Sequence, residues 1–392
     1  MQSTPKMSAL NELRKFVAPE FIFGDNSRLL TVRYAKNYGA KRVLLVTDCG
    51  VKQAGWSTEI TNLLQQENFE VVVFDTVSPN PRDYEIMAGA ELYITMRCDV
   101  IVAVGGGSVL DCAKGIGIVV SNGGSILNFE GVDQVPRPMP PLICIPTTGG
   151  TSADVSQFAI INNTTEKVKI AIISKSVVPD VALIDPVTLT TMSPYLTACT
   201  GMDALVHAIE AYVSNASSPI TDMHALEAIK LISSNLVQSV NEPDNLPLRG
   251  KIMLASLQAG LAFSNASLGC VHAMAHSLGG FLDLPHGECN ALLLPHVVDF
   301  NYSASPERFV QIGMALGLNV KGLSDKECKT AIIQDILQLR NSAGILETLA
   351  SRGVNKSDLQ RLAEKAIADP CNATNPRKPI QRDLEIIYEE AL

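Results

Sequence analysis

The chain has 392 residues, enough for two domains or one large one. Apolar residues make up 46% and charged residues 18%, a globular composition that excludes general disorder. Lys and Arg number 31 against 40 Asp and Glu, a formal charge of −9 without any basic block, so neither nucleic acid nor an anionic membrane is expected as a partner.

The N-terminal stretch MQSTPKMSALNELRKF has no apolar run after its early lysine and does not read as a signal peptide. Four apolar runs follow, at residues 42–48 (RVLLVTD), 70–77 (EVVVFDTV), 99–104 (DVIVAV) and 141–146 (PLICIP). Helical patterns near 51–66, 82–96 and 108–120 separate them. Continuous β-branched runs alternating with helices predict a parallel sheet covered on both faces. Residues 158–162 and 168–174 read as a hairpin or edge addition, and 181–185 closes this region. Beyond residue 190 the spacing turns helical, with helices expected at 193–214, 219–239, 247–264, 269–281, 304–317, 325–343, 344–351, 356–367 and 380–391. The expectation is a Rossmann-like α/β domain over 1–188 and an all-α domain over 189–392.

Residues 252–282 contain no Asp, Glu, Lys or Arg. Their Gln, Asn, His and Ser content reads as buried helix and not as a membrane span. The nine cysteines are scattered without CxxC spacing, which suggests thiols in a reducing, cytoplasmic compartment.

Two loops carry ligand chemistry. Gly105-Gly106-Gly107-Ser108 follows a strand and opens a helix, so backbone N–H groups there point at anionic oxygen. Thr147-Thr148-Gly149-Gly150-Thr151 repeats the arrangement after the next apolar run. Asp48, at the end of the first such run, either hydrogen-bonds ribose hydroxyls, which favours NAD over NADP, or caps the next helix. Of six histidines, three fall within 272–286. Asp203 and His207 share one helix face at i, i+4, as do His272 and His276, and His286 follows. A carboxylate with imidazoles is a ligand set for a borderline divalent ion, Fe(II) or Zn(II). Spacing suggests Asp203, His207, His272 and His276, with His286 as a neighbour. His224 and His296 read as bystanders, the latter at a helix boundary after Pro295.

GGGSxxDxxK, PTTxGT, GMDALxHAIEAY and HAMAHxLG…PHGxxNAxLLPHV together resemble the iron-containing (group III) alcohol dehydrogenases, from the early strands to the late TNPR segment. The resemblance implies an N-terminal dinucleotide-binding domain, a helical C-terminal domain and an active site in the cleft between them. It implies metal ligands at Asp203, His207, His272 and His286, and makes His276 a catalytic cleft residue near nicotinamide and substrate. Asp48, Asn80, Gly106, Gly107, Ser108, Asp111, Thr147, Thr148, Thr151 and Lys169 would line the cofactor. One departure stands out: the usual TAGTGSE segment reads TGGTSAD at 148–154, which affects side-chain contacts at 152–154. The implied reaction is reversible NAD-linked hydride transfer between a primary alcohol or diol and its aldehyde, with Fe2+ (alternatively Zn2+) and a homodimer or larger homo-oligomer. Alternatives are a glycerol dehydrogenase-like polyol enzyme and an NAD-binding relative without turnover. A dehydroquinate synthase would need cleft Lys and Arg, which 252–290 lacks.

Overall fold

The structure, a computed structural model, describes residues 14–392. Most of the stretch read as lacking a signal peptide therefore lies outside the described residues. Among the described residues are nine strands: β1 (Glu20–Phe23), β2 (Arg42–Val46), β3 (Glu70–Phe74), β4 (Val100–Gly105), β5 (Gly131–Val132), β6 (Leu142–Pro146), β7 (Phe158–Asn163), β8 (Val168–Ile173) and β9 (Val181–Ile184). Helices α1 (Thr31–Asn37), α2 (Cys49–Gln53), α3 (Trp56–Gln66), α4 (Asp83–Thr95) and α5 (Gly107–Asn122) lie among them. The rest is helical: α6 (Pro194–Val213), α7 (Pro219–Asn241), α8 (Leu246–Ala266), α9 (Cys270–Leu282), α10 (His286–Tyr302), α11 (Pro306–Ala315), α12 (Asp325–Ser342), α13 (Leu359–Ile367) and α14 (Gln381–Glu390).

The main sheet has the order β1-β9-β6-β4-β2-β3, and every pairing is parallel. Its central strands explain their own sequences. Leu44, Ile101, Ala103 and Cys144 bury on one face, and Val43, Leu45, Val102 and Ile145 on the other. A strand covered on both sides needs apolar residues at every position, not at alternate ones. The hairpin of β7 and β8 pairs antiparallel, as expected, but forms a separate three-stranded sheet with β5.

Three expectations need correction. The helix near 51–66 is two helices, parted at Gly55, whose φ of 91° suits glycine. The stretch 344–351 holds only a short 3-10 turn at Ala350–Arg352. Helix α10 was not expected at all, and His296 lies inside it and not at a boundary. Pro295 removes an N–H from the helix interior, which ordinarily ends a helix. Here α10 persists because α6, α9, α12 and α14 pack around it. Among the described residues no single helix is long and apolar enough to cross a membrane; α8 and α9 together pass by composition but bend by 100°.

Candidate active site between the sheet and the helical half

The chain leaves β2 for β3 on one side and returns to β4 on the other, so the topological switch lies between the carboxyl ends of β2 and β4. Open α/β sheets bind ligands at that crevice. Asp48 follows β2, the glycine loop follows β4 and Thr147 follows β6. Gly106 is the N-cap of α5 and makes no side-chain cap. A Cβ on Gly107 would stand 2.5 Å from Thr151 Oγ1, and one on Gly150 would stand 2.5 Å from the Thr200 carbonyl oxygen. Both loops are therefore packed too closely for any side chain at these positions. Asp48 Oδ1 accepts from the Val51 amide at 2.8 Å, so Asp48 caps α2 as well as lining the crevice.

In the TGGTSAD departure, Ser152 (φ 50°) donates to the Ser256 carbonyl on α8 at 2.5 Å, and Asp154 is buried, which pushes its carboxyl up to about 6. That segment now locks the sheet loop to the helical half. Asn80 (φ 57°) donates its amide side chain to Asp283 Oδ1 at 2.8 Å, and Arg82 pairs with Asp283 Oδ2 at 2.9 Å. Asp283 ends α9, so these contacts bridge the crevice. Asp111 and Lys169 are buried in it; burial raises Asp111 to about 7, with Lys114 pulling it down, and lowers Lys169.

The cleft has a volume of about 710 Å³. All fifteen residues singled out in the sequence line it: Asp48, Asn80, Gly106, Gly107, Ser108, Asp111, Thr147, Thr148, Thr151, Lys169, Asp203, His207, His272, His276 and His286. Asp203 and His207 come from α6, His272 from α9, and His286 opens α10. Asp203 Oδ1 is the hub, 4.0 Å from His207 Nε2, 3.8 Å from His272 Nε2 and 3.8 Å from His286 Nε2. Four donors on a tetrahedral ion sit about 3.3–3.6 Å apart. The distances from Asp203 Oδ1 are a few tenths of an ångström wider than that; Asp203, His207 and His272 form the tight group, and His286 stands farther from one of them than such a site allows, so it must move inward to complete a four-donor set.

The tautomers also suit a cation. His207 Nδ1 lies 3.2 Å from the Gly150 carbonyl and His272 Nδ1 lies 2.6 Å from Glu210 Oε2. The Gly150 carbonyl only accepts, and Glu210, although burial raises its carboxyl to about 7, accepts when ionised; with Glu210 ionised each Nδ1 carries its hydrogen and each Nε2 turns a lone pair into the cage. The Asn290 amide nitrogen meets these donors, 2.6 Å from Asp203 Oδ1 and 3.2 Å from His272 Nε2 and from His286 Nε2. Burial lowers His207 to about 4 and His272 to about 3, against the pull of Asp203, and lowers His286 well below its ordinary value. Neutral imidazoles are the ligating form. The donor set, its geometry and its protonation thus fit a divalent ion.

His276, one turn beyond His272, points elsewhere. Its Nδ1 donates to Asp369 Oδ2 at 2.8 Å, and its ring stacks on His286 with centroids 5.3 Å apart. Burial works against the Asp369 charge, yet His276 and the Cys371 amide hold its carboxyl below the usual range. Asp203, His207 and His272 form one cluster, which includes neither His276 of the spacing-based set nor His286 of the resemblance-based set; His276 groups instead with Asp369 and Cys371. His224 pairs with Gln258 and His296 lies near Glu390, both away from the cleft. Sequence reasoning missed Glu210, Asn290, Asp283 and Asp369. Glu210 had a signal, since it sits three residues after His207 on the same helix face. Asp369 had none, standing in a polar loop without periodicity.

Comparison with known proteins places the whole chain in one family. Residues 18–186 match the family model for iron-containing alcohol dehydrogenase, and residues 197–392 match that for the C-terminal part of the Fe-containing alcohol dehydrogenase family. The chain is 42% identical over 372 residues to 1,3-propanediol dehydrogenase of Citrobacter freundii, covering 94% of this chain and 96% of that one. It is 37% identical over 377 residues to NAD-dependent methanol dehydrogenase of Bacillus methanolicus, covering 96% and 99%. A crystal structure of 1,3-propanediol oxidoreductase superposes with a TM-score of 0.94 at 40% identity, over 97% of this chain and 100% of that one. The parallel sheet, the helical half and the full-length matches lead to one conclusion: the chain belongs to the iron-containing alcohol dehydrogenase family and is an alcohol dehydrogenase.

Proposed function

We propose that the protein moves hydride reversibly between a small primary alcohol or diol and NAD, with Fe2+ (or Zn2+) held by Asp203, His207, His272 and His286. The observation that supports this reading is that the Nε2 atoms of His207, His272 and His286 all lie within 4.0 Å of Asp203 Oδ1 in the crevice that also carries the two glycine loops. Bound there, the cation supplies Lewis acidity towards the alcohol oxygen and the dinucleotide supplies the hydride acceptor.

The chain's own residues supply binding and orientation. The N–H groups at the start of α5, with Gly106, Gly107 and Ser108, receive the pyrophosphate. Thr147, Thr148 and Thr151 border it, and Asp111 and Lys169 line the same wall. Asp48 takes the ribose hydroxyls and repels a 2′-phosphate. Asn80 closes the outer edge. Phe263 stacks on His207 with centroids 4.4 Å apart, placing an apolar wall beside the cage and favouring a small alcohol. His276, clamped at Nδ1 by Asp369, presents Nε2 to the cleft, where it can take or return the hydroxyl proton. In this reading residues 1–188 form the dinucleotide-binding domain and 189–392 the metal-binding domain. A homodimer or larger homo-oligomer belongs to it, and the free state of all nine cysteines supports a cytoplasmic setting.

The test is NADH formation with a panel of primary alcohols and diols. The protein is stripped of metal, then reloaded anaerobically with Fe(II) or Zn(II), beside the His286→Ala variant. The expected result is turnover that needs metal and disappears in the variant. Turnover that survives both metal removal and the substitution would overturn the ligand assignment.

A further inference from the structure

Helix α9 begins without a cap of its own. Its N-cap is Gly269, which has no side chain to offer. The first amide hydrogens are met instead from distant elements. Cys270 N donates to Asn375 Oδ1 at 3.1 Å, and Val271 N donates to Glu210 Oε1 at 2.7 Å. Orphan N–H groups at a helix start require such partners when buried. Glu210 does more than cap. Its second oxygen, Oε2, accepts from His272 Nδ1 at 2.6 Å. One carboxylate thus holds both the backbone that carries His272 and the ring itself. The space is closed around it: a Cβ on Gly269 would stand 2.9 Å from Glu210 Oε1. Glu210 is 3% exposed, so its only route to hydrogen bonds is through these partners.

Position along α6 adds to the argument. Asp203, His207 and Glu210 lie at i, i+4 and i+7, on one face of one helix. The helix that supplies two cage donors therefore also supplies the clamp on a third. A carboxylate accepts and cannot donate, so it holds the hydrogen of His272 on Nδ1 and leaves the Nε2 lone pair facing Asp203.

We propose that Glu210 is a positioning residue that fixes the tautomer and orientation of His272 for metal binding. The inference rests on the cage being a metal site. Carboxylate partners of ligating histidines raise ligand basicity, and their loss typically costs about 10–100-fold in metal affinity.

The variant is Glu210→Gln. Its amide oxygen still accepts from the Val271 amide, but its NH2 must donate to His272 Nδ1. The ring hydrogen then moves to Nε2 and points into the cage. Metal-free wild type and variant are compared by thermal unfolding, then titrated with Co(II), following the visible d–d bands and the affinity. The expected result is a similar metal-free Tm, a Co(II) affinity about 10–100-fold weaker and shifted bands. Equal affinity with identical bands overturns the proposal. A variant that fails to fold leaves a direct measurement on the wild type: with 15N-labelled histidine, the metal-free protein is expected to show His272 protonated at Nδ1. Protonation at Nε2 overturns the proposal. Wild type that binds no Co(II) while still binding NADH overturns instead the metal reading on which it stands.

Discussion

The two walls of the cleft are built from different materials. The wall on the sheet side is mainly backbone at strand ends, with glycines whose bare Cα lets loops and ligand approach. The wall on the helical side is side chains on buried helices, where Asn290 holds Asp203, Glu210 holds His272 and the Gly150 carbonyl meets His207. Asp203, His207 and His272 are all 4% exposed or less. A backbone wall loses grip when it gains an atom; a side-chain cage loses it when one is removed. The variants below separate the two.

The largest effect is expected on the cage. Removing the metal with a chelator, or making His272→Ala, forfeits several kcal/mol of charge stabilisation, so kcat is expected to fall by about 10³-fold or more. Dinucleotide binding, read on the sheet side, is expected to change little. Trp56, the only tryptophan in the sequence, lines the cleft and reports that binding by fluorescence. Equal losses of dinucleotide affinity and turnover would erase the distinction between the walls. The same cage sets a pH dependence of the metal-free protein. His207 and His272 are held at about 4 and about 3 in the folded state, below the ordinary 6.5. The unfolded chain takes up those protons first, so stability falls as pH drops below 6.5 and keeps falling to about 3. Tm of the metal-free protein between pH 7.5 and 4 checks this, and a flat profile contradicts it.

Much of this was legible in the sequence, for a physical reason in each case. The central strands are apolar at every position because the sheet is covered on both faces. The two glycine loops stand out because close approach excludes side chains. Asp203 and His207 declare themselves because one helix face carries both. The choice between His276 and His286 was not legible from spacing, since the cage draws on three helices and i, i+4 logic sees one at a time. The choice of His286 in the proposed set comes from resemblance. Helix α10 was hidden by Pro295, whose effect is overridden by packing that no local pattern reveals. Strand β1 was hidden because it is a short sheet edge without a buried apolar run.

A smaller effect, on the sheet side, is expected from Gly107→Ala. Its Cβ would stand 2.5 Å from Thr151 Oγ1 and 2.9 Å from Thr151 Cβ, so the two loops must part. Overpacking of this kind costs about 1–3 kcal/mol, which corresponds to dinucleotide affinity about 5–150-fold weaker. Metal content is expected to stay at the wild-type level, the reverse of the His272→Ala outcome. Titration of Trp56 fluorescence beside metal analysis tests both halves. Asp48→Gly comes next. Loss of an acid near a 2′-phosphate is worth about 1 kcal/mol at solvent-exposed range, so the preference for NAD over NADP is expected to drop about fivefold. An unchanged ratio of kcat/KM values would remove Asp48 from the ribose.

The smallest effect is expected where the two walls touch. Asp283 holds Asn80 and Arg82 across the cleft, and both Asp283 and Asn80 adopt left-handed backbone, at φ 56° and 57°. Asp283→Asn tolerates that conformation and keeps an oxygen for the Asn80 amide, but it loses the charge that pairs with Arg82. The Asp283 side chain is 52% exposed, so the pair is solvent-screened and worth less than about 1 kcal/mol. The expected outcome is dinucleotide release up to about fivefold faster, with kcat raised if release limits turnover and KM raised with it. Salt supplies the internal control, because about 1 M salt shortens screening to ~3 Å and should bring wild type to the rate of the variant. Stopped-flow NADH release at low and high salt reads this directly. Identical rates at low salt would mean that the crevice is held together by the Ser152–Ser256 lock and not by Asp283.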